Sequence, residues 1–135
     1  MPAAVILDTN VFVAAGFNPQ SASAHIIEKI RSGRLRMIWN EPTQREVEQI
    51  LSKIPRLSWP RVADLFREED RYVGETYPER FDYIPDPDDR KFAALSAATG
   101  VTLLSRDDDL LSSRDRAQVA ILTPREYWER EQISL

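Results

Sequence analysis

Carboxylates recur where apolar runs of this chain end. Asp8 closes Val5-Ile6-Leu7, and Glu46 comes shortly after the run from Leu35 to Trp39. Asp86, Asp88 and Asp89 surround Pro87, and Asp107 and Asp109 follow Val101 to Leu104. Acids drawn together in one crevice repel, and that repulsion is offset when they share a hard divalent cation, which prefers oxygen ligands. One or two such ions can activate a water and stabilise the charge that develops on a phosphodiester during in-line displacement. The acids therefore fit phosphodiester hydrolysis.

Other chemistries lack their parts. His25 is the only histidine and cysteine is absent, so there is no Ser-His-Asp triad, no cysteine nucleophile and no thiolate or histidine zinc site. The four glycines form no phosphate-cradling motif. A phosphatase of the haloacid dehalogenase type also starts from an acid after a strand, but it needs a second Asp two residues on, where this chain has Asn10. Of Lys29, Lys53 and Lys91, none follows a strand in a place to neutralise a phosphate. Trp39 and Trp59 can stack on bases or pack into the core, and Arg45, Lys53, Arg56, Arg61, Arg106, Arg114 and Arg116 are candidates for a phosphate rim.

The elements that must position these acids alternate. Val5-Ile6-Leu7, β-branched and unbroken by polar residues, reads as a central strand buried on both faces of a parallel sheet. Asp8 then lies at its carboxyl end, where open α/β sheets bind ligands. Ser21 or Ser23 caps a helix carrying Ile26, Ile27 and Ile30 that stops at Gly33. A second short strand spans Leu35 to Trp39. Thr43-Gln44-Arg45-Glu46 matches a capping box before Val47, Ile50, Leu51 and Ile54, and Pro55 ends that helix. Ser58-Trp59-Pro60 opens a third helix, with Arg67 to Arg71 as a solvated charged face. Between Tyr72 and Ile84 only a short edge strand near Tyr83 suggests itself. Asp86-Pro87-Asp88-Asp89 starts a helix that ends at Gly100. Strands at Val101 to Leu104 and Val119 to Leu122 follow, and Thr123-Pro124-Arg125-Glu126 caps a terminal helix. Such alternation indicates an α/β fold with a central parallel sheet flanked by helices.

Most of these acids also have a structural reading. Glu46 and Asp89 each fall at a third helical position, where a carboxylate satisfies backbone N–H groups. Asp86 reads as a helix cap, Asp88 as an exposed first-turn residue, and Asp107 and Asp109 as the start of a short helical turn before Leu110. Asp8 has no comparable packing role.

The chain of 135 residues is expected to form one domain, 1–135, large enough to bury roughly 65 to 70% of its unfolded surface. The lack of cysteine suits a reducing cytoplasm, and no targeting or membrane segment is read near Met1. A net charge of -4 argues against a simple basic nucleic-acid binder, although bound metals would reverse the local field.

Taken in order, Leu7-Asp8-Thr9-Asn10-Val11, Arg45-Glu46-Val47, Asp86-Pro87-Asp88-Asp89-Arg90-Lys91-Phe92, Leu104 to Leu111 and Ile121 to Tyr127 resemble a PIN domain. More narrowly, they resemble the PIN proteins described as toxin components of toxin-antitoxin systems, relatives of the VapC toxins. The resemblance implies a three-layer fold and an Mg²⁺- or Mn²⁺-dependent endoribonuclease that leaves 5′-phosphate and 3′-hydroxyl ends. It carries the family's four acids onto Asp8, Glu46, Asp89 and Asp107, with Asp109 as an accessory ligand and Asp88 an alternative to Asp89. Asn10 and Ser105 fall on supporting positions, Ser105 orienting the first acid. Implied partners are an RNA substrate, a small antitoxin and a second copy in a homodimer. A catalytically inactive module of the same fold, binding RNA or a protein, is the alternative.

Overall fold

A computed structural model describes residues 3–133. Four parallel strands, β1 (Ala4–Leu7), β2 (Arg36–Met37), β3 (Thr102–Leu104) and β4 (Ile121–Leu122), form one sheet in the order β2-β1-β3-β4. Val5 pairs with Met37 on one side and Thr102 on the other, and Leu7 pairs with Leu104. The chain leaves β1 toward β2 on one side and returns on the other as β3. The carboxyl ends of β1 and β3 therefore flank the point where the winding reverses, the place where open α/β sheets form a crevice.

The period of two along the strands divides the core. Val5, Leu7 and Leu104 point into a cluster with Val11, Phe12, Ile26, Ile30 and Met37. Ile6, Leu103 and Ile121 point the other way, against Phe81, Ile84, Phe92, Leu95 and Leu110. On the first face lie α1 (Thr9–Phe17), α2 (Ala22–Arg31), α3 (Glu41–Lys53), the four-residue α4 (Pro60–Ala63) and α8 (Pro124–Ile133). The second face carries α5 (Arg90–Thr99), α6 (Asp108–Ser112) and α7 (Arg114–Ala117). Helices thus cover both faces of an all-parallel sheet, giving the α/β architecture read from the alternation of elements and the three layers implied by the resemblance.

Several local expectations change. The stretch from Thr9 to Phe17, to which the sequence assigns no element, is helical: Asp8 caps α1, whose residues Val11 and Phe12 are buried. The helix after β2 begins one turn earlier than the Thr43–Glu46 pattern indicates. Asn40 is its cap, and Thr43 completes a reciprocal box with it, the Asn40 carbonyl oxygen of the side chain accepting from Thr43 N at 3.2 Å and Thr43 Oγ1 from Asn40 N at 3.1 Å. Asn40 is the better cap because its side chain reaches the third helical N–H while Pro42 occupies the first turn, where no N–H is needed. The helix opened by Pro60 lasts four residues, and Phe66 leaves it to stack on Phe12 at 5.7 Å. The charged run is only partly solvated: Asp70 is buried and accepts from Arg36 Nε at 2.8 Å, while Arg67 donates to the Ile30 and Arg31 carbonyls. No strand forms near Tyr83. A 3-10 turn at Pro78–Phe81 precedes it, and the extra bridge to the sheet is Trp39 with Arg71. At the other end of the chain the reading holds, with Thr123 and Glu126 exchanging cap hydrogen bonds.

Candidate active site

Asp8 is 3% exposed at the end of β1. Its Oδ1 accepts from Thr9 N at 2.7 Å and its Oδ2 from the Ser105 hydroxyl at 2.6 Å. Ser105 Oγ in turn accepts from Asp107 N at 2.9 Å, so one hydroxyl, itself fully buried, ties the ends of β1 and β3 together. Burial raises the Asp8 pKa to about 6; the Ser105 and Thr9 hydrogen bonds oppose that rise, and the neighbouring charges of Glu46 and Asp107 add to it. Asn10, on the first turn of α1, accepts from Arg106 N at 3.3 Å and pins the loop after β3.

Glu46 lies in the second turn of α3. With the cap moved back to Asn40, it is no longer at a third position, and the capping reading falls away. Both its oxygens are engaged across the fold, Oε2 by the Thr9 hydroxyl and Oε1 by Lys91 Nζ at 2.6 Å.

Asp86 caps a 3-10 turn at Pro87–Asp89 by accepting from Asp88 N at 3.0 Å. That turn directs Asp88 to solvent and Asp89 inward, where Asp89 is 7% exposed and makes no side-chain cap. Its Oδ2 is buried without a hydrogen-bond partner, the one such side-chain atom among the described residues. An orphaned buried carboxylate oxygen calls for an explanation such as an ion. Burial first, then the charges of Asp8, Asp107, Asp86 and Glu46, push the Asp89 carboxyl up to about 8.

Asp107 caps α6, its Oδ1 accepting from Asp109 N at 2.8 Å and Leu110 N at 3.4 Å. Asp89, Asp107 and Asp109 each bring a carboxylate oxygen to within 4.8 Å of the other two, the one such trio of potential metal ligands among the described residues. The donors are all hard oxygens, and one of the three residues, Asp89, also holds the buried oxygen without a partner. That set fits Mg²⁺ or Mn²⁺ and offers nothing to a soft metal. Asp8 and Glu46 are not members of the trio, although both act on Asp89 through their charge.

The five acids therefore come from the ends of β1 and β3, from α3 and from the start of α5, and meet at the switch of the sheet. Two partners were not legible in the sequence: Thr9 and Lys91, both holding Glu46. They meet it across 37 and 45 residues of chain, and only the fold brings them there. Other candidates lie elsewhere. Trp39 is buried and donates to the Arg67 carbonyl, Trp59 packs on Phe66, and His25 stacks on Trp128. Of the basic rim, Arg45 pairs with Glu41, Arg114 with Glu126, and Arg116 lies over Tyr83.

A sequence profile described as PIN domain matches residues 4–109, a span holding every one of these acids. No curated protein matches the chain. Among solved structures, PAE2754 from Pyrobaculum aerophilum aligns with a TM-score of 0.56 at 17% identity, covering 96% of this chain and 97% of its own. FitAcB from Neisseria gonorrhoeae gives 0.58 at 17% identity over 89% and 97%. FitAB bound to the IR36 DNA fragment gives 0.57 at 17% identity over 92% and 95%. At that identity the likeness carries the fold.

Proposed function

Since the chain belongs to the PIN domain family, we propose that it is a divalent-metal-dependent endoribonuclease and the toxin of a toxin-antitoxin pair. The observation that carries the nuclease reading is the buried Asp89 oxygen with no hydrogen-bond partner, set among the carboxylates of Asp107 and Asp109 at the carboxyl edge of a parallel sheet. Asp89, Asp107 and Asp109 would hold Mg²⁺ or Mn²⁺. When bound, that ion supplies charge stabilisation to the phosphodiester and lowers the pKa of water.

The chain's own residues supply position and field. Ser105 fixes the Asp8 carboxylate beside the trio and ties it to the backbone of Asp107, so that a shift in either strand end moves both acids. Asn10 holds the loop that carries Asp107. Thr9 and Lys91 orient Glu46. No side chain here is arranged as a covalent nucleophile, which is consistent with direct attack of water and products bearing 5′-phosphate ends.

The RNA preference and the toxin role rest on the motif resemblance to the VapC relatives, as do the small antitoxin, the homodimer and the cytoplasmic setting. No helix among the described residues is long and apolar enough to cross a membrane. The test is to incubate the protein with pooled cellular RNA and with single-stranded DNA in Mn²⁺, Mg²⁺ or chelator, and to sequence the 5′-phosphorylated ends. Recurrent metal-dependent ends in RNA are expected. Cleavage that persists in chelator, or cyclic-phosphate products, would overturn the reading.

A further inference from the structure

We propose that the Lys91 ammonium fills a second cation position in the acid cleft, so that the cluster takes one divalent ion, at Asp89, Asp107 and Asp109, and not two. The inference rests on the metal-nuclease reading above and specifies the metal content of the same site.

Lys91 is held from two sides. Its Nζ donates to Glu46 Oε1 at 2.6 Å and to the Asp88 carbonyl at 2.7 Å, and the two paired side chains are 19% and 17% exposed. An ion pair this well covered is a fixed charge, unlike the exposed i,i+4 pair of Arg125 and Glu129. The neighbouring Arg90 turns away from the acids and donates to the Ile84 and Asp82 carbonyls at 2.9 Å each. Lys91 is thus the one basic side chain that the described hydrogen bonds and ion pairs tie to the five acids.

Both Glu46 oxygens already accept a hydrogen bond, Oε2 from Thr9 and Oε1 from Lys91, so a metal ligated there would share its oxygen with one of these donors. The trio of Asp89, Asp107 and Asp109 carries the opposite pattern, since Asp89 has a buried oxygen with no partner at all. The cleft is therefore divided: one part has its counter-charge built in, and the other lacks one. A second divalent ion on Glu46 would meet the ammonium at close range, a repulsion that the lysine's removal would relieve. The ammonium puts one positive charge where a divalent ion would put two, and with donors on Glu46 and the Asp88 carbonyl it orients Glu46 without a metal's open coordination.

The count of bound ions tests this. Mn²⁺ alone would be titrated into the full chain, following heat and the loss of the free-ion electron paramagnetic resonance signal, for the native protein, Lys91→Met and Lys91→Arg. One ion per chain is expected for the native protein and for Lys91→Arg, and two for Lys91→Met. Two ions in the native chain, or one in a folded Lys91→Met, would overturn the inference. Should Lys91→Met fail to fold, Lys91→Gln takes its place, and the native count alone remains able to refute. A native chain that binds no Mn²⁺ removes the metal reading itself, an outcome distinct from binding two.

Discussion

Asp8 and Asp89 bind their protons more tightly in the folded chain than a free carboxylate does, with pKa values of about 6 and about 8 against 3.8. The folded state therefore holds more protons than the unfolded one above pH 3.8, and metal-free stability falls as pH rises, through about 6 for Asp8 and about 8 for Asp89. Asp89→Asn removes the larger part of that loss. It is expected to stabilise the metal-free protein at pH 8 by on the order of 1–2 kcal/mol, a Tm rise of roughly 3–10 °C, and to flatten the pH dependence seen in thermal melts. A variant less stable than native at pH 8 would contradict the burial and repulsion assigned to Asp89. Ser105→Ala keeps every acid and removes the hydroxyl between Asp8 and Asp107. Cleavage should fall by roughly 10–100-fold while the far-ultraviolet circular dichroism is unchanged. The acids were legible one by one from their places at the ends of apolar runs. Which oxygen lacks a partner was not, because that depends on where Glu46, Lys91 and Ser105 arrive from distant parts of the chain.

The elements that carry the acids are set by their ends. The pairing of Asn40 with Thr43 starts α3 early enough to place Glu46 in its second turn, facing Thr9 and Lys91. Asn40→Ala should cost about 1 kcal/mol, measured by urea denaturation, and weaken the hold on Glu46 as the first turn frays. A change within error would mean that Pro42 and packing alone fix the start of the helix. At the carboxyl end of α5, Gly100 has φ 71°, the left-handed conformation that closes the helix and that a side chain would strain. Proline and glycine signals of this kind made α5 and α8 readable. The first helix escaped notice because Thr9 to Phe17 is apolar almost throughout and shows no polar face against which a period could be seen. The start of α3 differs from the pattern because Thr43 with Glu46 fits the usual spacing, whereas the box that forms, Asn40 with Thr43, has a threonine at its third position in place of Glu or Gln.

At the scale of the molecule, the sheet order brings Asp8 and Ser105 into hydrogen-bond contact although they lie 97 positions apart in the chain. The parallel sheet was legible because β1 and β3 are continuous apolar runs, buried on both faces. The segment from Ser58 to Ile84 was not, since its short turns are held by individual contacts such as Phe66 on Phe12 and Arg67 on the end of α2. Phe92 links the second core to the site, being fully buried one turn after Asp89 and next to Lys91. Phe92→Ala is expected to cost about 3–5 kcal/mol in denaturant melts, a large share of a typical domain's stability. A loss below about 1 kcal/mol would mean that the core collapses around the cavity more readily than its close packing implies. The measurement that bears most directly on the central claim is single-turnover cleavage of a labelled RNA in Mn²⁺, comparing native protein, native protein with chelator, and folded Asp8→Asn. Cleavage in the first alone, with Asp8→Asn slower by roughly 10²-fold or more, is the expected result. Equal rates for native and Asp8→Asn, or cleavage that ignores the chelator, would contradict the assignment of these acids as a metal-dependent nuclease centre.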